Sequence, residues 1–130
     1  MRKIEFRAWL KREKRMIDVK AIEWDQDGNV ISVKCPQGKT YSGDSIELMQ
    51  YTKLKDKNRV KIFEGDIFKW GSTLYQVIYA DFGFKVNCVK GHNDIYLYDF
   101  QLNYFEENDE IEVIGNIYED DDLLEWLFSI

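Results

Sequence analysis

The residues best suited to chemistry in this 130-residue chain form two clusters of cations. The first surrounds the aromatic residues Phe6 and Trp9, and the second occupies every other position of residues 53–61. Lysine and arginine contact nucleic-acid phosphates, and an exposed aromatic ring can stack on a base. A solvated strand face and a hairpin tip would show the same pattern, and the net charge of −6 favours that alternative. The candidate nucleic-acid-binding residues are Arg7, Lys11, Arg12, Lys55 and Lys57.

Other residues have catalytic or metal-binding chemistry, but their spacing assembles no reaction centre. His92 is the only histidine and lies in a predicted turn. Glu64 and Asp66 could face the same way along a strand, yet one acid pair is weak evidence in a chain with 24 acids. Residues 25–29 resemble a calcium loop without its acidic twelfth position, and residues 120–122 suit a helix N-terminus better than a metal site. We therefore expect no enzyme activity, no metal and no cofactor.

The first third of the chain alternates like a sheet buried on one face. Residues 3–9 alternate strictly, residues 16–24 alternate with a one-residue slip typical of a β-bulge, and residues 30–34 follow a turn at Gly28. Together they predict an N-terminal β-meander of three strands. Residues 36–45 are rich in turn-forming types, so we place a boundary there, between regions 1–45 and 46–130.

Short strands separated by tight turns fill the second region. Residues 45–50 fit either a helix or a strand, and we favour a helical turn. The close spacing of the later strands predicts a small closed barrel. The predicted strands are residues 59–63, 66–70, 73–79, 84–89, 95–100 and 110–118.

The C-terminus places an apolar run directly after three aspartates. The acids at 120–122 suit the start of a short helical turn, because carboxylates favour the positive end of the helix dipole. A single turn cannot bury the apolar side chains that follow, so they would cover the end of the barrel or dock on another copy. The candidate self-association residues are Leu123, Leu124, Trp126, Leu127 and Phe128.

Composition and charge bound the class of protein. The chain has 45% hydrophobic residues but no apolar run of the roughly 20 residues that a membrane span needs. Without a signal-peptide pattern we expect a cytoplasmic protein in which Cys35 and Cys88 are free thiols. Residues 1–90 hold all 18 Lys and Arg with 12 acids, whereas residues 91–130 hold the other 12 acids. This polarity could steer a partner or bring two copies together, or adjacent segments could cancel locally.

Three blocks of sequence carry a resemblance to a known family. They are residues 4–9 with 16–17, residues 48–67, and residues 113–119 with 123–124. In this order they resemble the YopX family of phage and prophage proteins. The chain departs from the family pattern at Leu10, where Asp is usual, at Lys53 and Arg59, where Gly is usual, and at residues 120–121, where Asn-Pro is frequent. Without Gly at 59 we expect a longer or irregular turn.

The resemblance implies a small β-rich, phage-associated protein of unknown biochemical role, with a latter half similar to an SH3-like barrel. We expect it in the cytoplasm of the bacterial host cell. The expected fold class is therefore mainly β, α+β at most, with the meander first, the barrel second and a C-terminal helical turn. The expected function is a non-enzymatic binding module that contacts itself or a host or phage protein. The alternative is a nucleic-acid-binding accessory protein that uses the basic N-terminal strand and the Lys-rich hairpin. Neither reading involves a membrane.

Overall fold

The computed structural model describes residues 3–80, 83–90, 100–101, 111–120 and 122. Within these residues the fold is mainly β, as predicted, with twelve strands and one 3₁₀ turn. The chain divides into two compact units, Met1–Gln50 and Tyr51–Ile130. No helix in the described ranges is long and apolar enough to cross a membrane.

The first unit contains two antiparallel sheets. In one sheet β1 lies between β2 and the first half of β6, and in the other β4 lies between β3 and β5. The strands alternate between apolar and polar residues, so each sheet buries one face. The elements are β1 Phe6–Leu10, β2 Arg15–Val19, β3 Ala21–Trp24, β4 Val30–Lys34, β5 Thr40–Ser42, the 3₁₀ turn Gly43–Ser45 and β6 Ile46–Lys55.

The core of the first unit is built from the inward faces of these strands. Ala8 and Val33 are almost fully buried, at 0% and 1% exposure. Fully burying a valine side chain such as that of Val33 stabilises a folded protein by about 1.5–3 kcal/mol. The buried set is Ala8, Leu10, Ile17, Val33, Cys35 and Ile46.

The second unit is dominated by a five-stranded antiparallel sheet. Its strand order is β11-β10-β9-β8-β12, and the second half of β6 pairs with β7. The core of this unit contains Ile62, Phe68, Tyr75, Val77, Val86 and Ile111. The strands are β7 Lys61–Phe63, β8 Asp66–Trp70, β9 Thr73–Ala80, β10 Gly83–Lys90, β11 Phe100–Gln101 and β12 Ile111–Asn116.

Two local predictions for the first 50 residues are wrong. Residues 46–50 are not a helical turn but the first half of β6, because pairing with β1 selects the period of two. The slip in residues 16–24 is not a bulge but a break at Lys20, whose N–H donates to the Lys34 carbonyl at 2.8 Å. The break places β2 and β3 in different sheets, so the predicted three-strand meander is divided. The predicted C-terminal helical turn lies almost wholly outside the described residues.

Three hairpin turns, at residues 25–29, 35–39 and 56–60, share one hydrogen-bond pattern. In each turn the first residue donates its N–H to the fifth carbonyl, and the fourth N–H donates to the first carbonyl, at 2.9–3.1 Å. The fourth residue has a positive φ in each, at Gly28, Gly38 and Arg59. The turn at residues 56–60 is therefore longer than a two-residue primed turn, as expected from the absence of glycine at position 59.

The first residue of this shared turn presents a side chain to the backbone N–H groups of the loop. The Asp25 carboxylate accepts from Asp27 N at 2.9 Å and Asn29 N at 2.8 Å, and the bonds from Asn29 lower the pKa of Asp25. Cys35 occupies the same position in its own turn. Burial raises the pKa of its thiol, but the backbone N–H groups of residues 37–39 outweigh that effect, so the pKa of Cys35 is lowered.

Candidate nucleic-acid interface

The predicted basic residues of the first unit are mostly engaged within the fold. Arg7 is partly buried on β1, opposite Asp18 of β2. Lys11 Nζ lies 3.4 Å from Glu47 Oε1 and donates to a backbone carbonyl of the 3₁₀ turn. Arg12 is exposed in the turn between β1 and β2. Of the three candidates here, only Arg12 is exposed without an ion pair among the described residues.

Glu13 compensates two further cations beside this turn. Its carboxylate lies 2.9 Å from Arg15 Nε and 3.7 Å from Lys39 Nζ. The hydrogen bond to Glu13 raises the pKa of the Arg15 guanidinium. Arg15 also donates to the Tyr41 hydroxyl at 3.3 Å. Acidic partners therefore neutralise much of the positive charge around the first cluster.

The second cluster lies on the hairpin of β6 and β7, and we call residues 53–61 the basic hairpin. Lys55 stands directly opposite Lys61 in the ladder. Like charges in this arrangement repel, so the pairing alone is unfavourable. Lys61 lies over the Tyr51 ring, with Nζ 5.4 Å from the ring centroid, which provides a compensating cation–π contact.

Most of the remaining cations of the basic hairpin have no acidic partner among the described residues. Lys57 Nζ lies 3.6 Å from a carboxylate oxygen of Glu112 on β12. Lys53, Lys55 and Arg59 have no ion-pair partner within the part of the chain that the structure describes. The predicted residues Lys55 and Lys57 thus belong to a real cluster, to which the structure adds Lys53 and Arg59.

Asp56 is the single acid within the basic hairpin, and its charge points inward. Its side chain is buried at 4% exposure. One carboxylate oxygen accepts from Asn58 N at 2.8 Å and Val60 N at 2.9 Å, and the other accepts from Val113 N of β12 at 2.9 Å. The carboxylate therefore shapes the tip and ties it to β12, while the cations remain outside.

A bulge of two extra residues in β6 precedes the tip of the basic hairpin. Between the pairs Tyr51–Phe63 and Lys55–Lys61, β6 contains two more residues than β7. The Thr52 hydroxyl fills the gap by donating to the Ile62 carbonyl at 2.7 Å and accepting from Leu54 N at 3.2 Å. Lys53, at the centre of the bulge, has a φ of +74°.

The candidate acid pair Glu64 and Asp66 lies at a turn, where Asp66 has a structural role. Gly65, with a φ of +87°, places the pair across a tight turn instead of along one strand. Asp66 is 2% exposed, and its carboxylate accepts from Phe63 N at 2.7 Å. Among the described residues no group of three or more His, Cys, Asp or Glu side chains is placed to hold a metal ion.

The remaining predicted residues cannot be placed. His92 and the self-association candidates Leu123, Leu124, Trp126, Leu127 and Phe128 lie outside the described residues. Sequence reasoning missed the organising roles of Asp56 and Thr52. The signal for the loop role of Asp56 is incomplete, because residues 25–29 and 56–60 both begin with Asp but Arg59 stands at the position of Gly28.

Comparison with known proteins identifies relatives but no chemistry. The family model described as YopX protein matches residues 5–125. The structure is similar to the crystal structure of protein EF1440 from Enterococcus faecalis, with 27% sequence identity and a TM-score of 0.70. That likeness covers 95% of this chain and 99% of the other. No curated protein matches the chain.

Proposed function

From the premise that this chain belongs to the YopX family, we propose that it is a binding protein whose basic hairpin contacts the phosphate backbone of nucleic acid. Its role is recognition and not catalysis, and the family suggests a phage or prophage setting. The short antiparallel strands β8–β12, together with β6 and β7, support an SH3-like barrel as the scaffold.

One observation carries this proposal: the basic hairpin holds cations that the described fold leaves uncompensated. Lys53, Lys55 and Arg59 have no acidic partner among the described residues. The only acid within the basic hairpin, Asp56, is buried, and its carboxylate accepts from three backbone N–H groups. Phosphate contacts of this kind release condensed counterions, which favours binding without reading sequence.

The net charge of −6 does not oppose this local contact. Exposed charges are screened over about 8 Å at physiological ionic strength. A phosphate at the hairpin tip therefore responds mainly to the cations there, while the overall charge weakens the long-range approach. We expect weak affinity, in the micromolar range or above, that depends strongly on salt.

Fluorescence anisotropy with a labelled DNA duplex of about 20 base pairs tests the proposal. With three phosphates neutralised, log K should fall against log salt with a slope of about −2.7, or about 40-fold between 50 and 200 mM. Replacing Lys53, Lys55 and Arg59 together by Gln should remove most of this binding.

The matched control removes three cations that do have an acidic partner, as Lys11→Gln, Arg15→Gln and Lys39→Gln together. Its affinity should stay close to that of the unaltered protein, because Glu47 and Glu13 already compensate these charges. No binding at low salt, or an equal loss in both triple variants, would contradict the proposal.

A further inference from the structure

Two cations of the basic hairpin occupy a backbone conformation that their residue types do not favour. Lys53 has a φ of +74° and Arg59 a φ of +64°. In this left-handed region the β-carbon approaches the following carbonyl, and Gly, Asn and Asp are the residues that adopt it most readily. Both side chains are exposed, so burial in a core does not explain why lysine and arginine stand there.

We propose that Lys53 and Arg59 bind the phosphates of double-stranded DNA. The inference rests on the proposed function and names the ligand class of the same site. A phosphate contact would offset the cost of this sparsely populated conformation at two positions that belong to the basic hairpin.

The backbone explains how these two residues widen the basic surface. Lys55 and Lys61 are opposite one another, so their side chains share one face of the hairpin. The bulge and the turn remove Lys53 and Arg59 from the regular alternation of the strands. Positive charge is therefore not confined to a single face.

This distribution suits a duplex better than a single strand. The major groove of B-form DNA admits a two-stranded β-ribbon and has phosphates along both walls. Binding of single strands relies on exposed aromatic rings. Tyr51, whose ring lies beneath Lys61, is only 7% exposed and offers no stacking surface. Phe63, whose ring centroid lies 5.4 Å from that of Tyr51, is partly buried.

Glycine substitution at positions 53 and 59 should change stability and DNA binding in opposite directions. Lys53→Gly and Arg59→Gly each relieve the strain at positive φ and remove one cation. Each variant should therefore melt at a higher temperature than the unaltered protein while binding the duplex more weakly. The slope of log K against log salt should become shallower by about 1 in each variant and by about 2 in the double variant.

Lys14→Gly is the matched control, because Lys14 is also a cation with a positive φ, of +53°, in a hairpin turn. It should raise the melting temperature without changing the duplex affinity or the salt slope. Arg59→Lys keeps the charge and should keep the slope. Arg59→Asn, which tolerates the left-handed conformation without a cation, should lose as much binding as Arg59→Gly.

The outcomes distinguish this inference from the proposed function. If Lys55→Gln weakens duplex binding but Lys53→Gly and Arg59→Gly do not, the inference is overturned and the basic hairpin remains the binding site. If the unaltered protein binds no nucleic acid, the proposed function itself fails. Equal affinity for single-stranded DNA or duplex RNA would overturn the assignment to double-stranded DNA.

Discussion

Replacing Asp56 by Ala should destabilise the protein by about 3 kcal/mol, because three backbone N–H groups lose a charged acceptor. Two of them belong to the exposed residues Asn58 and Val60, where water can replace the carboxylate at a cost of about 0.5–1 kcal/mol each. The third, Val113 N, is partly buried in β12 and loses a bond of about 1.5–2 kcal/mol. The melting temperature should fall by about 10 °C.

Urea unfolding of the variant and of Asp25→Ala provides the decisive comparison. Asp25 makes the same two bonds within the same kind of turn, but its carboxylate has no strand beyond the loop to hold. Its removal should therefore cost less than half as much as removal of Asp56. Asp56→Asn should give an intermediate loss, because an amide can serve the loop but places a donor or a weaker acceptor against Val113 N. Equal losses at Asp56 and Asp25 would refute the role of the tether to β12.

Three further outcomes follow from the described contacts. Gly115→Ala should cost about 1–2 kcal/mol in urea unfolding, because its β-carbon would lie 2.6 Å from the Asp120 carboxylate that accepts from Asn116 N; the same change should cost little in an Asp120→Ala background. The Cys35 thiolate, followed as the absorbance difference from Cys35→Ser, should form at lower pH in the folded than in the urea-unfolded chain; equal midpoints would contradict the role of the loop N–H groups. Because hydrogen bonds from Asn29 lower the pKa of Asp25 in the folded chain, its contribution to stability is present above its ordinary pKa and is lost as the pH falls through the lower folded pKa; an acid titration of Asp25→Ala should therefore be less steep below about pH 4.

The strands β8, β9 and β10 could be predicted because their signal is local. Residues 66–70 lie between turn signals at Gly65 and Gly71, and β8 has those bounds in the structure. The strand β6 could not be predicted over residues 46–50, because the short pattern fits both periods and the choice depends on pairing with β1, some 40 residues away in sequence.

The candidate site was predicted in part for the same reason. Charge at Lys55 and Lys57 is visible in the sequence, but the ion pairs that compensate Lys11 and Arg15 depend on the fold. The missing glycine at position 59 did indicate an irregular turn, in which Arg59 has a positive φ. The inward carboxylate of Asp56 depends on a strand 57 positions further along the chain, which no local pattern shows.

The bond from Val113 to Asp56 has a consequence for the order of folding. The loops at residues 25–29 and 35–39 close entirely through neighbours, and such hairpins form within about 1–10 µs. The loop at residues 56–60 acquires its last bond only when β12 arrives, so we expect it to mature late and to remain open while the C-terminal part of the chain is still being synthesised. Pulsed hydrogen exchange would record this as later protection of Val60 than of Asn29, and simultaneous protection would contradict it.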